Sequence, residues 1–137
     1  MKGIADTGFL LAFVNRNDTH HSWAKSIAPQ FETPLLTCEA VLAETAFHLE
    51  SVPLVLNLMR HGLVKLAFQC SEHLNVLASL AERFAHRKPD LADLCLIRMS
   101  ELHPSHVVVT VGENDFRAYR RNKREAIPLL CPSQRKR

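Results

Sequence analysis

The chain has 137 residues, 47% hydrophobic and 23% charged, with a formal net charge of +3, which suits one domain able to bury a core of its own. No apolar run is long enough to span a bilayer, and Asp6 interrupts the apolar start Ile4-Ala5, so the opening does not read as a signal peptide and a cytoplasmic location is expected. The four cysteines and eight histidines form neither a C-x-x-C pair, a zinc-type spacing nor an H-E-x-x-H pattern, which excludes the common zinc centres.

In chain order, Lys2 to Asp6 reads as a short buried strand and Thr7 to Val14 as a helix entered at Thr7 or Gly8. His20 to Phe31 is amphipathic, with Trp23, Ile27 and Phe31 four apart and Pro29 weakening its end. A strand over Pro34 to Thr37 leads into a helix over Cys38 to Ser51. A further helix, Pro53 to His61, has proline at its start and Gly62 as its stop. Val64 to Phe68 is the third strand candidate. Ser71 to Ala85 predicts a helix whose apolar stripe is Leu74, Leu77, Ala78, Ala81, Phe84 and Ala85. Leu91 to Leu102 follows as a helix with Asp90 as N-cap, then the β-branched strand His106 to Thr110, a short helix over Asn114 to Arg121 and a last strand from Ala126 to Leu130.

Strand–helix alternation of this kind predicts an α/β domain with a parallel sheet covered by helices on both faces. It occupies residues 1–132 and leaves 133–137 as a basic tail. Such sheets bind ligands beyond the carboxyl ends of their strands, where the strand order reverses. Asp6 ends the first strand and Asp115 follows the fourth, so the two meet in one crevice if those strands flank the reversal. Charge is also uneven. Residues 1–100 hold 9 Lys/Arg against 10 Asp/Glu, while residues 101–137 hold 8 against 4. The excess comes from Arg117, Arg120, Arg121, Lys123, Arg124 and the tail Arg135-Lys136-Arg137, and is either a footprint for nucleic acid or a solubilising face.

Four acids carry the chemistry: Asp6, Glu44, Asp93 and Asp115. Each has an ordinary alternative. Asp6 can cap the helix it precedes, Asp90 and Asp93 can serve as cap and first-turn acid of their helix, and Asp115 can cap its own. Glu44 shares a helical stripe with Ala40, Ala43 and Phe47, which turns a carboxylate towards the apolar side unless it reaches water or an arginine. Drawn together, the four repel one another and call for a cation, and an all-oxygen set suits Mg²⁺ or Mn²⁺ and metal-assisted phosphodiester hydrolysis.

Four segments carry a family resemblance. Ile4-Ala5-Asp6-Thr7-Gly8-Phe9-Leu10-Leu11-Ala12-Phe13 resembles the opening of PIN-domain ribonucleases, and Val41-Leu42-Ala43-Glu44-Thr45 resembles their helix glutamate. Pro89-Asp90-Leu91-Ala92-Asp93-Leu94-Cys95-Leu96 and Val109-Thr110-Val111-Gly112-Glu113-Asn114-Asp115-Phe116 resemble their third and last acidic motifs. The order and spacing match over nearly the whole chain, and the small size is similar to VapC-like toxins of toxin–antitoxin pairs. The resemblance implies a three-layer α/β/α sandwich around a mostly parallel five-stranded sheet, and a Mg²⁺- or Mn²⁺-dependent endoribonuclease. Asp6, Glu44, Asp93 and Asp115 would then be its metal-binding carboxylates, with Thr7, Thr110 and Asp90 in support. RNA is the implied substrate, held by Arg117, Arg120, Arg121, Lys123 and Arg124, and an antitoxin and a second copy of the chain are the implied partners. Family members often place an acid or amide two residues after the last-motif threonine. Here that place is Gly112, leaving Asp115 to serve with Glu113 or Asn114. The alternative is a catalytically weak or inactive PIN-like module that binds RNA or a partner. Phosphatases of the haloacid-dehalogenase kind need a second acid where Asp6-Thr7-Gly8 has none, and no glycine-rich phosphate loop is present.

Overall fold

The computed structural model describes residues 1–133, so the basic tail beyond Ser133 lies outside the described residues. In chain order the elements are β1 (Gly3–Ala5), α1 (Thr7–Val14), α2 (His21–Ile27), β2 (Leu35–Thr37), α3 (Glu39–Leu49), α4 (Val52–Arg60), β3 (Val64–Leu66), α5 (Leu74–Arg83), α6 (Leu91–Leu102), β4 (Val107–Val109), α7 (Glu113–Ala118), β5 (Arg120–Arg121), β6 (Glu125–Ala126) and β7 (Leu129–Leu130). Short 3-10 turns occupy Ala28–Gln30, Cys70–Glu72 and Ala85–Arg87.

The central sheet has five strands in the order β3-β2-β1-β4-β7, and each of its pairings is parallel. Strand direction and order follow from the connections. Each crossover runs through helices, so its strands must be parallel. The chain steps outward from β1 to β2 to β3, then returns through α5 and α6 to place β4 on the other side of β1. The order therefore reverses between β1 and β4, as the crevice argument required. Ile4 stands at the centre, opposite Leu36 on one side and Val108 on the other. β1 is buried throughout, as are Val108 and Val109, because a parallel sheet covered on both faces has no watered side. Helices α1 to α4 pack on one another, while α6 packs on β1, β4 and α5, completing the α/β/α sandwich. Among the described residues no helix is long and apolar enough to cross a membrane.

Local signals set the element ends. Ser51 caps α4 by accepting from the Leu54 N–H at 3.3 Å, with Pro53 in the first turn. Gly62, at φ 80°, turns the chain after it. Several expectations are corrected. α3 buries Val41, Leu42 and Thr45, not the Ala40–Ala43–Glu44–Phe47 stripe, and Phe47 is 78% exposed. The predicted stripe was one residue out of phase because small alanines on both faces blur the helical period. Ser71 opens no helix. It lies in the 3-10 turn, and α5 starts at Leu74, which is 64% exposed while Leu77 and Leu80 fill the core. The predicted helix to Arg121 stops at Ala118, and β5 and β6 form a small antiparallel hairpin. Its turn holds Asn122 and Lys123 at positive φ, a conformation that asparagine tolerates.

Candidate active site

Asp6 leaves β1 at the reversal. Its backbone N–H donates to the Val109 carbonyl (3.1 Å), extending the β1–β4 ladder by one residue. One carboxylate oxygen accepts the Thr7 N–H at 2.7 Å and so caps α1. The other accepts the Thr110 hydroxyl at 2.5 Å, and that hydroxyl in turn accepts the Gly112 N–H at 2.9 Å. The loop after β4 is thus bonded to the acid at the end of β1. Gly8 permits this closeness, since a Cβ there would lie 2.2 Å from Val111 Cγ2.

The N-terminus of α6 supplies two more acids. Asp90 caps it by accepting the Asp93 N–H at 2.8 Å. Asp93 turns inward, where its carboxylate accepts the Tyr119 hydroxyl at 3.0 Å. Tyr119 is fully buried, with its ring edge-on to Phe84 and Phe116 at centroid distances of 5.2 and 5.3 Å. Glu44 lies half-buried on α3. It faces Asp90 and the Thr7 hydroxyl, which is buried and has no hydrogen bond of its own, so the Glu44 contact falls short of bonding geometry.

These acids pay for their neighbourhood. Burial pushes the Asp6 carboxyl up to about 6, against the bonds from Thr110 and Thr7, with Glu44 and Asp90 adding repulsion. Burial, then the charge of Asp90, pushes Asp93 up to about 7, while the Tyr119 bond opposes the rise and Asp6 and Asp115 add to it. Glu44 is raised by burial and by Asp90. Asp115 stands apart on α7, exposed and paired at 3.2 Å with Arg87, an arrangement of little energetic weight. Beside it Asn114, Gly112 and His20 line a cavity of about 330 Å³. Among the described residues no three His, Cys, Asp or Glu side chains close into a metal-holding group; Asp6, Asp90, Asp93 and Asp115 are each turned to a donor of their own. The donor set nonetheless fits a hard divalent cation. It is all oxygen, Asp6, Asp90 and Asp93 repel one another, and the Thr7 hydroxyl is an orphaned buried polar atom beside it.

The PIN domain family model matches residues 4–122. The chain belongs to the PIN-domain family. Asp6, Glu44, Asp93 and Asp115 all fall within the matched span. PIN domains are generally nucleases, which supports a hydrolase. No curated protein matches the chain.

The basic segment of this PIN domain is less uniform than its sequence. Arg121, expected to bind RNA, is buried. It donates to the Ser100 carbonyl (2.8 Å) and hydroxyl (3.0 Å), to the Pro104 carbonyl (3.4 Å) and to Glu125. It is an architectural cation, because the hairpin that the sequence hid turns it inward. Arg120 bonds the carbonyls of Arg117 and Tyr119, and Arg117 pairs with Glu113 at 2.5 Å. Lys123 and Arg124 are exposed at the hairpin tip. Sequence reasoning missed Tyr119 and Arg87. An isolated tyrosine beside a charged run gave no periodic signal, and Arg87 reaches Asp115 only through the 3-10 turn Ala85–Arg87.

Proposed function

We propose that this PIN domain is a Mg²⁺- or Mn²⁺-dependent endoribonuclease acting as the VapC-like toxin of a toxin–antitoxin pair. One observation carries the catalytic reading: half-buried carboxylates that repel one another face the strand-order reversal. Asp6 and Asp93 would hold the cation, with Glu44 and Asp115 contributing directly or through water. When bound, such a cation supplies Lewis acidity at the scissile phosphate and cancels the mutual repulsion of the acids. The chain's own residues do the positioning. Thr110 fixes Asp6, Tyr119 fixes Asp93, and the free Thr7 hydroxyl is left to orient a water beside Glu44. Asn114 borders the cavity next to Asp115 and offers an amide to the substrate. Arg117, Arg120, Lys123 and Arg124 would offset the repulsion between an acidic crevice and the RNA backbone.

Cleavage of single-stranded and structured RNA in Mn²⁺, compared between the native chain and Asp6→Asn, tests the reading; equal rates would sink it. A second reading, a weak or inactive binding module, is favoured by two features: Gly112 brings no side-chain donor to the last motif, and the carboxylates do not close on a common centre. Mn²⁺ calorimetry separates the two, since a dead site gives no affinity or affinity indifferent to Asp93→Ala. The toxin role predicts growth arrest on expression in the cytoplasm, relieved by a small neighbouring gene product whose basic residue enters the crevice. Light scattering tests the proposed homodimer.

A further inference from the structure

Three of the four cysteines converge from remote parts of the chain. Cys38 ends the β2 segment and precedes α3, Cys70 opens the 3-10 turn after β3, and Cys95 lies in α6. The Cys95 thiol faces both of the others, and its hydrogen-bonded neighbour is Cys70. Its Sγ lies 3.3 Å from Sγ of Cys70. Access differs sharply. Cys95 is 0% and Cys38 1% exposed, whereas Cys70 is half-buried and lines a surface cavity with Gln69, Ser71 and Leu91 that Cys38 also borders. No role in the nuclease reading uses these thiols.

We propose that Cys70 and Cys95 form a dithiol modification site that a two-electron oxidant of the peroxide class converts into an intramolecular disulfide. Cys70 is the sulfur that the oxidant reaches. As thiolate it attacks the O–O bond of hydrogen peroxide, giving a sulfenic acid and one water. The Cys95 sulfur then displaces the sulfenic hydroxyl, its proton leaving with that oxygen as the second water. Two thiols are oxidised, one peroxide is reduced to two waters, and one S–S bond forms. The sulfurs need to close from 3.3 Å to about 2.05 Å, a movement that the turn carrying Cys70 can supply. Cys38 lacks this access, and Cys131 lies beside Arg117, remote from the cluster. The bond ties the turn after β3 to α6 two residues beyond Asp93, and it does not depend on the nuclease reading.

The test uses the native full-length chain exposed to stoichiometric hydrogen peroxide, then thiol alkylation and peptide mapping without reduction. The expected product is a monomer that has lost two hydrogens, contains a Cys70–Cys95 linked peptide, melts at a higher temperature than the reduced chain and reverts with dithiothreitol. Cys131→Ser should keep the linkage. Cys70→Ser should abolish it and leave Cys95 as a free thiol. A linkage through Cys38 or Cys131, a disulfide-linked dimer, a sulfinic acid at Cys70 beside a free Cys95, or an unreactive native chain would each overturn the proposal.

Discussion

At its C-terminal end α6 meets the buried guanidinium of Arg121, and every charge there finds a partner. Ser100 offers its carbonyl and hydroxyl, Glu125 pairs with the guanidinium, and Glu101 takes Arg98 at 3.0 Å and the Asn122 N–H at 2.6 Å. The helix dipole adds to this, since a C-terminus favours a cation. At its N-terminal end the same helix brings Asp90 and Asp93 towards Asp6 and Glu44. There the dipole favours acids, yet burial and mutual repulsion still push Asp6 and Asp93 well above the ordinary carboxyl value. A matched buried charge serves as architecture. An unmatched cluster is a cost that protonation or a bound cation would relieve, and it lies at the end where the proposed chemistry is placed.

The sharpest way to break that contrast is Asp93→Asn. RNA cleavage should fall by about 100-fold or more, the scale of losing a group that holds charge at a reacting centre, while the divalent-free chain melts higher at pH 8. Unchanged turnover would show that the N-terminal end of α6 is not the reacting end. At the opposite end, Arg121→Ala should destabilise the fold by about 2–4 kcal/mol in urea denaturation, because it strips donors from buried acceptors. A loss under half that would mean that the network is not load-carrying. Gly8→Ala should cost about 1–3 kcal/mol, since its Cβ meets Val111 and must push the Thr110 loop from Asp6.

The acid cluster also sets a pH dependence. Asp6 and Asp93 ionise near 3.8 when unfolded but near 6 and 7 when folded. Their folded pKa values are raised, so the stability that they confer is full below about pH 4 and is lost as pH climbs through 6 and 7. In chelator, stability should fall by about 3–5 kcal/mol between about pH 4 and 7 after allowance for solvent access at Asp93, and Mn²⁺ should restore it at pH 8. Thermal melts across pH with and without the ion check both signs. The smallest effect belongs to Arg87→Ala, where the half-exposed pair with Asp115 should contribute under about 0.5 kcal/mol; a larger loss would show that Asp115 is bound into the architecture after all.

Much of this was legible in the sequence. Apolar runs too short for helices, punctuated by Pro and Gly, located the sheet strands, while the adjacency of β1 and β4 was only a condition in the sequence and is set by the structure. The positions of Asp6 and Asp93, after β1 and in the first turn of α6, were readable because each follows or opens an element whose direction the topology dictates. Glu44 was expected on an apolar stripe that α3 does not bury. Its stripe proved exposed, and it is the crevice, not the core, that half-buries it. The β5–β6 hairpin was not legible, because two-residue strands carry no periodicity, and with it went the inward turn of Arg121 and the Tyr119 bond to Asp93. Charge counted along the chain could not tell the architectural arginine from its solvated neighbours.

Asp6 commits one carboxylate oxygen to starting α1 and the other to Thr110. The proposed chemistry and assembly would therefore share a codon. In a genetic screen for harmless alleles, lesions at codon 6 should surface as poorly accumulating protein, whereas changes at codon 93 should yield abundant, silent chains. The proportion of the two classes gauges how much of the molecule's solidity is invested in the residue that would also do its work.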